Sequence, residues 1–111
     1  MATFTPLKDE DARLLLAFYD VGELRALRPI PAGSVNSNFR LDVVHNGHLS
    51  ALFLRLFEEQ GFEGAKYEGA LLAHLAGQGV PTPRPIVRRD GATVSTLAGK
   101  PAALFPFIAG G

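Results

Sequence analysis

Cysteine is absent from all 111 residues, which excludes disulfides, thiolate metal sites and cysteine nucleophiles. Neither sign of charge is in excess. Eleven Lys and Arg balance eleven Asp and Glu, so nothing in the net charge favours nucleic acid or an anionic membrane as a partner. No apolar run approaches the roughly 20 residues of a membrane-spanning helix. The opening Met1-Ala2-Thr3-Phe4-Thr5-Pro6 has no basic stretch followed by an apolar core. A soluble, cytoplasmic protein is the expectation. His45, His48 and His74 show no metal-ligand spacing, two of them flanking a turn and the third lying in a helical stretch.

What is present is the composition of one globular domain, 47% hydrophobic and 20% charged. Asp9 or Asp11 can cap a first helix that runs to about Tyr19 and ends before Gly22, with Leu14, Leu15 and Phe18 at helical spacing. Leu24 to Ile30 reads as a strand, Ala32 to Asn38 as a polar turn, and Phe39 to Val43 as a second strand. Asn46-Gly47 predicts a tight hairpin into a third strand, His48 to Phe57. Both faces of that strand are apolar except at Arg55, so it belongs at the centre of a sheet. A second helix follows from about Glu63 to Ala76, with Tyr67, Leu71, Leu72 and Leu75 as its stripe. The prolines of residues 78–85 impose an extended connector. Ile86-Val87 starts a further strand, Asp90-Gly91 turns it, residues 93–97 return, and residues 101–107 form the last strand. The fold class is therefore α+β: an antiparallel sheet of about five strands, one helix packed on it after the third strand, and an additional N-terminal helix.

Arg55 is the residue that asks for an explanation. A lone cation in the run Leu52-Phe53-Leu54-Arg55-Leu56-Phe57 is costly unless a carboxylate and acceptors meet it. Glu68, or in competition Glu63, on the following helix is a candidate partner. Two readings stay open: a structural ion pair between strand and helix, or a cation held for a phosphate. The turn Gly33-Ser34-Val35-Asn36-Ser37 can offer backbone N–H groups and short polar side chains to a phosphate oxygen, or it is an ordinary hairpin loop. Lys66 and Lys100 read as solvated, and Asp42, Glu58 and Glu59 as an exposed strand rim.

The element order, together with Ala32-Gly33-Ser34-Val35-Asn36-Ser37-Asn38-Phe39, resembles the N-terminal lobe of protein-kinase-like folds, and more narrowly that of the aminoglycoside phosphotransferase family. Phe4-Thr5-Pro6, Leu56-Phe57-Glu58, Gly79-Val80-Pro81-Thr82-Pro83, Asp90-Gly91 and Leu97-Ala98-Gly99-Lys100-Pro101-Ala102 are similar to segments of the branch of that family that phosphorylates homoserine.

That resemblance implies transfer of the ATP γ-phosphoryl group to the hydroxyl of L-homoserine, a step of threonine biosynthesis, with Mg²⁺. It places Gly33, Ser34, Asn36, Ser37 and Asn38 against phosphate, and Arg55 where most kinases of the fold carry a lysine opposite Glu68. It makes Phe105 to Ile108, including Phe107, a hinge strand beside adenine, with Ile30, Leu54 and Val87 as candidate walls. Residues 1–107 would be the nucleotide-binding lobe and residues 108–111 the start of a linker. The catalytic base and metal ligands would lie in a second lobe, so the chain alone would be inactive. Phe105, Phe107, Ile108 and the outer side of the first helix would then be exposed and favour a homodimer. Acceptors such as an aminoglycoside or choline, or a non-catalytic half-kinase that binds a partner or nucleotide, are the alternatives.

Overall fold

The computed structural model describes residues 5–30, 36–58, 61, 64, 67 and 84–107. Helix α1 spans Asp9–Leu16, and Asp9, Glu10 and Asp11 place negative charge at its positive end. Its N-cap is Lys8 rather than an aspartate. Asp11 instead reaches back, its carboxylate accepting the Lys8 N–H at 2.9 Å. The helix stops short of Tyr19 because the Phe18 and Tyr19 N–H groups turn to the Leu15 and Leu16 carbonyls at 3.1 and 3.0 Å, which tightens the last turn. The buried stripe is Ala12, Leu15, Leu16 and Tyr19. Leu14 and Phe18, expected on that stripe, lie outside it at 69% and 53% exposure. The Arg88 guanidinium covers the Phe18 ring at 4.5 Å.

Five strands follow: β1 Glu23–Ile30, β2 Ser37–His45, β3 His48–Leu56, β4 Ser95–Leu97 and β5 Lys100–Pro106. They form one antiparallel sheet in the order β1-β2-β3-β5-β4, with β3 central as its apolar faces require. Asn46 and Gly47 turn β2 into β3 with φ of 53° and 79°, as a type I′ turn demands. Ala98 and Gly99 do the same between β4 and β5 at 53° and 74°.

Three expectations are corrected. Ser37 and Asn38 belong to β2 rather than to the preceding turn. Ile86-Val87 is not a strand: Pro85 has no N–H to give, and the Ile86 N–H reaches the Leu104 carbonyl at 2.7 Å without a ladder forming around it. The return strand accordingly shortens to Ser95–Leu97. The second helix and the proline connector lie outside the described residues, apart from helical Gly64 and Tyr67 and from Arg84 and Pro85, which belong to no helix or strand. Tyr67, expected on an apolar stripe, is exposed.

Alternation along the strands divides the sheet. On one face Phe39, Leu41, Val43, Leu52, Leu54, Leu56, Ala102 and Leu104 pack against α1 as the main core. On the other, Phe57, Val94, Ala103 and Phe105 make a smaller cluster with Phe53 against it. Phe105, expected at the surface, is thus buried at 4% exposure, and Phe107 is half-buried. Among the described residues no helix is long and apolar enough to cross a membrane.

Gly22 joins α1 to β1 with φ of 102°, and a Cβ there would sit 2.2 Å from the Val44 carbonyl oxygen. Backbone cannot step aside as a side chain can. Gly22→Ala is expected to cost about 2 kcal/mol through strain and displacement of this corner, read as a fall in thermal midpoint of roughly 10 °C. An unchanged midpoint would refute it.

Candidate functional site

Directly paired residues of an antiparallel sheet share a face, and the ladder registers put two rows on the face away from α1. One row runs Ile30, Asn38, Arg55, Ala103 from β1 to β5. The next runs Arg28, Arg40, Phe53, Phe105. Arg55 therefore stands level with Asn38 at the end of the sheet where β1 gives way to β2. Its guanidinium carbon lies 5.6 Å from the Phe53 ring centroid and 5.7 Å from that of Phe105, and these two rings meet edge-on at 6.2 Å. The electron-rich faces of both rings attract its charge.

Asn38 is 6% exposed, and its Oδ1 accepts no hydrogen bond among the described residues. A buried amide oxygen left in this way is a place for an incoming donor. Arg40 beside it is engaged: its Nε donates to Asp42 Oδ1 at 3.0 Å, and its guanidinium lies 4.9 Å from the centroid of Phe107. Asp42 also faces Arg28 Nη2 at 3.9 Å. The Phe107 N–H donates to the Ala51 carbonyl at 3.2 Å, so the run beyond β5 stays tied to β3.

The candidate residues do not all come together. Asn38 and Arg55 share a row, and Phe105 lies beside them. Ser37, one residue before Asn38, points to the α1 face, as the two-residue period of a strand dictates. Leu54, a candidate pocket wall, faces α1 and is fully buried there, whereas Ile30 lies in the Arg55 row. Val87 is exposed. Asn36 precedes β2 in a bend and is half-buried. Gly33, Ser34, Glu68, Glu63 and Ile108 lie outside the described residues, as do Glu59, Lys66 and His74.

Sequence reasoning missed the polar cluster behind Ser37. Glu58 was expected on an exposed rim and Lys100 in solvent, but the Glu58 side chain is 1% exposed and Lys100 Nζ donates to its Oε1. The Ser37 hydroxyl donates to Glu58 Oε2 at 2.5 Å, and the Thr5 hydroxyl donates to the same oxygen at 2.7 Å. Lys100 Nζ also donates to Thr5 Oγ1 at 2.8 Å, and the Thr5 N–H to Ser37 Oγ at 2.9 Å. Burial pushes the Glu58 carboxyl up, but the hydrogen bonds from Lys100, Ser37 and Thr5 outweigh it and hold the group below its ordinary value. The spacing of these residues in sequence carries no signal; only the fold assembles them.

Two further features lie apart from this end of the sheet. A cleft of about 640 Å³ between the end of α1 and the start of β1 is lined by Arg13, Tyr19, Asp20, Glu23, His45 and Arg89 among others, at the hairpin end. His45 there meets Asp20 at 3.4 Å. Tyr19 and Ser95 share a buried hydroxyl hydrogen bond of 2.9 Å, and burial pushes the Tyr19 phenol up. Among the described residues no three His, Asp or Glu side chains converge on one point.

Residues 26–111 match the phosphotransferase enzyme family. The chain is 43% identical over 110 residues to the homoserine kinase of Ralstonia pickettii, an alignment that covers 99% of this chain and 33% of that protein. It is 44% identical over 111 residues to the homoserine kinase of Cupriavidus taiwanensis, covering 99% and 33%. With the homoserine kinase of Burkholderia lata it shares 41% over 104 residues, covering 94% and 30%. The chain thus spans about a third of the length of the curated relatives it matches.

Proposed function

Because the chain belongs to the phosphotransferase enzyme family, we propose that its residues 1–107 are the nucleotide-binding lobe of an ATP-dependent kinase whose acceptor is the hydroxyl of L-homoserine. The observation that carries the nucleotide reading is the row in which Arg55 stands beside the buried Asn38, a cation whose fork phosphate oxygens can meet. The acceptor is taken from the relatives named homoserine kinase, which align with nearly all of this chain.

Phosphoryl transfer asks the protein chiefly for position and for positive charge against the phosphates. Arg55 supplies the charge. Its planar fork can meet two phosphate oxygens at once, where an ammonium would meet them as a point. Phe53 and Phe105 keep water from one side of it and limit its swing. Ile30 at the end of the same row gives an apolar surface for a base. Asn36 stands at the entry to β2, where its amide can reach the same phosphates. Mg²⁺, which bridges phosphate oxygens in such transfers, has no ligand set on the described residues, and no step is assigned through it here. The base that takes the homoserine hydroxyl proton is likewise assigned to no residue of this chain.

Titration of MgATP into the chain, followed through the amide signals of Asn36, Asn38, Arg55 and Phe105, tests the reading. Shifts confined to these residues are expected, with saturation in the millimolar range. Shifts at the Tyr19–Arg89 cleft instead, or none, would overturn it. ADP formation by the enzyme that carries this lobe should depend on L-homoserine, and equal rates with choline or an aminoglycoside would remove the acceptor assignment.

A further inference from the structure

Four of the segments that mark the family resemblance each contribute one side chain to a single cluster: Thr5, Ser37, Glu58 and Lys100. The cluster lies on the face of the sheet opposite the Arg55 row, so none of its members stands in that row. Its place in the sheet says what it does. Ser37 pairs with Leu56, and Glu58 follows two residues after Leu56. The Phe57 N–H between them donates to the Pro101 carbonyl at 2.9 Å, next to Lys100. The carboxylate thus joins the first residue of β2, the exit of β3, the start of β5 and the segment before α1.

This is the end of β2 farthest from its hairpin. The Asn46-Gly47 turn sets the β2–β3 register at His45 and His48, eight ladder steps from Ser37 and Leu56. Strand ends open most readily, and a slip of one residue exchanges the faces completely. Such a slip would carry Asn38 to the α1 face, away from Arg55. Ser37 cannot move with it while its hydroxyl is held between the Thr5 N–H and the Glu58 carboxylate.

Resting on the nucleotide-binding reading above, we propose that Glu58 is a positioning residue for phosphoryl transfer: it locks Ser37 on one face of the sheet so that Asn38 stays level with Arg55 on the other. Lys100 keeps the carboxylate ionised and turned toward Ser37. Glu58 touches neither nucleotide nor acceptor, and its effect on them passes through the register of β2.

The test compares Ser37→Ala, Ser37→Thr and Glu58→Gln with the native protein in two measurements. In amide hydrogen exchange on the chain, Ser37→Ala and Glu58→Gln are expected to speed exchange at least tenfold at residues 37–39 and 55–57, leaving residues 41–43 within threefold. Ser37→Thr, which keeps the hydroxyl, restores protection. Uniform acceleration over the sheet, or none, overturns the proposal. In the enzyme that carries this lobe, KM for MgATP is expected to rise about tenfold in Ser37→Ala and Glu58→Gln with kcat within threefold, and to return toward native in Ser37→Thr. An unchanged KM beside altered exchange makes the cluster structural only and also overturns it. If Glu58→Gln does not fold, the Ser37 pair decides alone. Native protein that neither binds nor turns over ATP would refute the kinase reading, while the exchange data still decide the lock.

Discussion

Lys100→Met is expected to lower stability at pH 7 by about 3 kcal/mol, because it leaves the Glu58 carboxylate in place without its cation. The size follows from an asymmetry in burial. Glu58 is 1% exposed while Lys100 is 31% exposed, so the lysine can be lost to water at little cost and the glutamate cannot. Removing one partner of a fully buried pair costs about 3 to 5 kcal/mol. The part-exposed lysine puts this pair at the lower end. The hydroxyls of Ser37 and Thr5 remain and keep the group from being stranded altogether.

The effect of pH separates this explanation from simple loss of packing. In the native protein the folded state holds Glu58 below its ordinary value of 4.5, so the carboxylate contributes stability above that pH. The contribution is lost as pH falls through the lower, folded value. In Lys100→Met, burial is no longer outweighed in full, and the folded protein resists ionisation of Glu58. Its penalty is complete at neutral pH and fades as the group protonates. Thermal midpoints of native and variant should differ by roughly 15 °C at pH 7 and converge below about pH 4.5. A difference that stays constant over this range would assign the loss to the lysine's methylenes instead.

Glu58 and Lys100 also mark where reading the sequence stops. The strands were legible because each carries its own signal: apolar alternation in Leu52 to Leu56, Asn46-Gly47 at one turn, and Gly99 at another. The central place of β3 followed from two apolar faces. Polar residues at strand ends carry no such signal. Glu58 looks like any exposed glutamate until Thr5, Ser37 and Lys100, which lie 53, 21 and 42 residues away in sequence, close over it.

The same limit explains the smaller misses. Leu14, Leu15 and Phe18 fit a helical period as well as Ala12, Leu15, Leu16 and Tyr19 do, and only packing against the sheet selects the second set. Ser37 and Asn38 read as turn residues by composition, yet the ladder continues through both. Their assignment to a single phosphate-binding turn ignored the two-residue period that sends them to opposite faces. Phe105 was expected at the surface because the second lobe that would cover it was expected to be missing. Its neighbours Phe53, Phe57, Val94 and Ala103 come from three separate segments and bury it.

Arg55 is where stability and activity should part. If it meets phosphate as proposed, Arg55→Met should lower kcat/KM for MgATP about 100-fold in the enzyme that carries this lobe, which is the size of effect of losing one directed electrostatic contact in a dry site. Arg55→Lys keeps the charge but not the fork, and about a tenfold loss is expected. The side chain points away from the main core, and its contacts to the rings of Phe53 and Phe105 are of a kind worth about 1 kcal/mol. Methionine fills much of the same space between the two rings. The structural reading of Arg55, a cation that ties strand to helix and does nothing more, predicts instead that kcat/KM is unchanged per folded molecule. Leu54→Ala on the same strand supplies the contrast, since it should lose about 3 kcal/mol by opening a cavity in the α1 face while keeping its affinity for MgATP. Thermal midpoints and steady-state kinetics on these three variants therefore assign the two faces of one strand, one to holding the fold and the other to holding the phosphate.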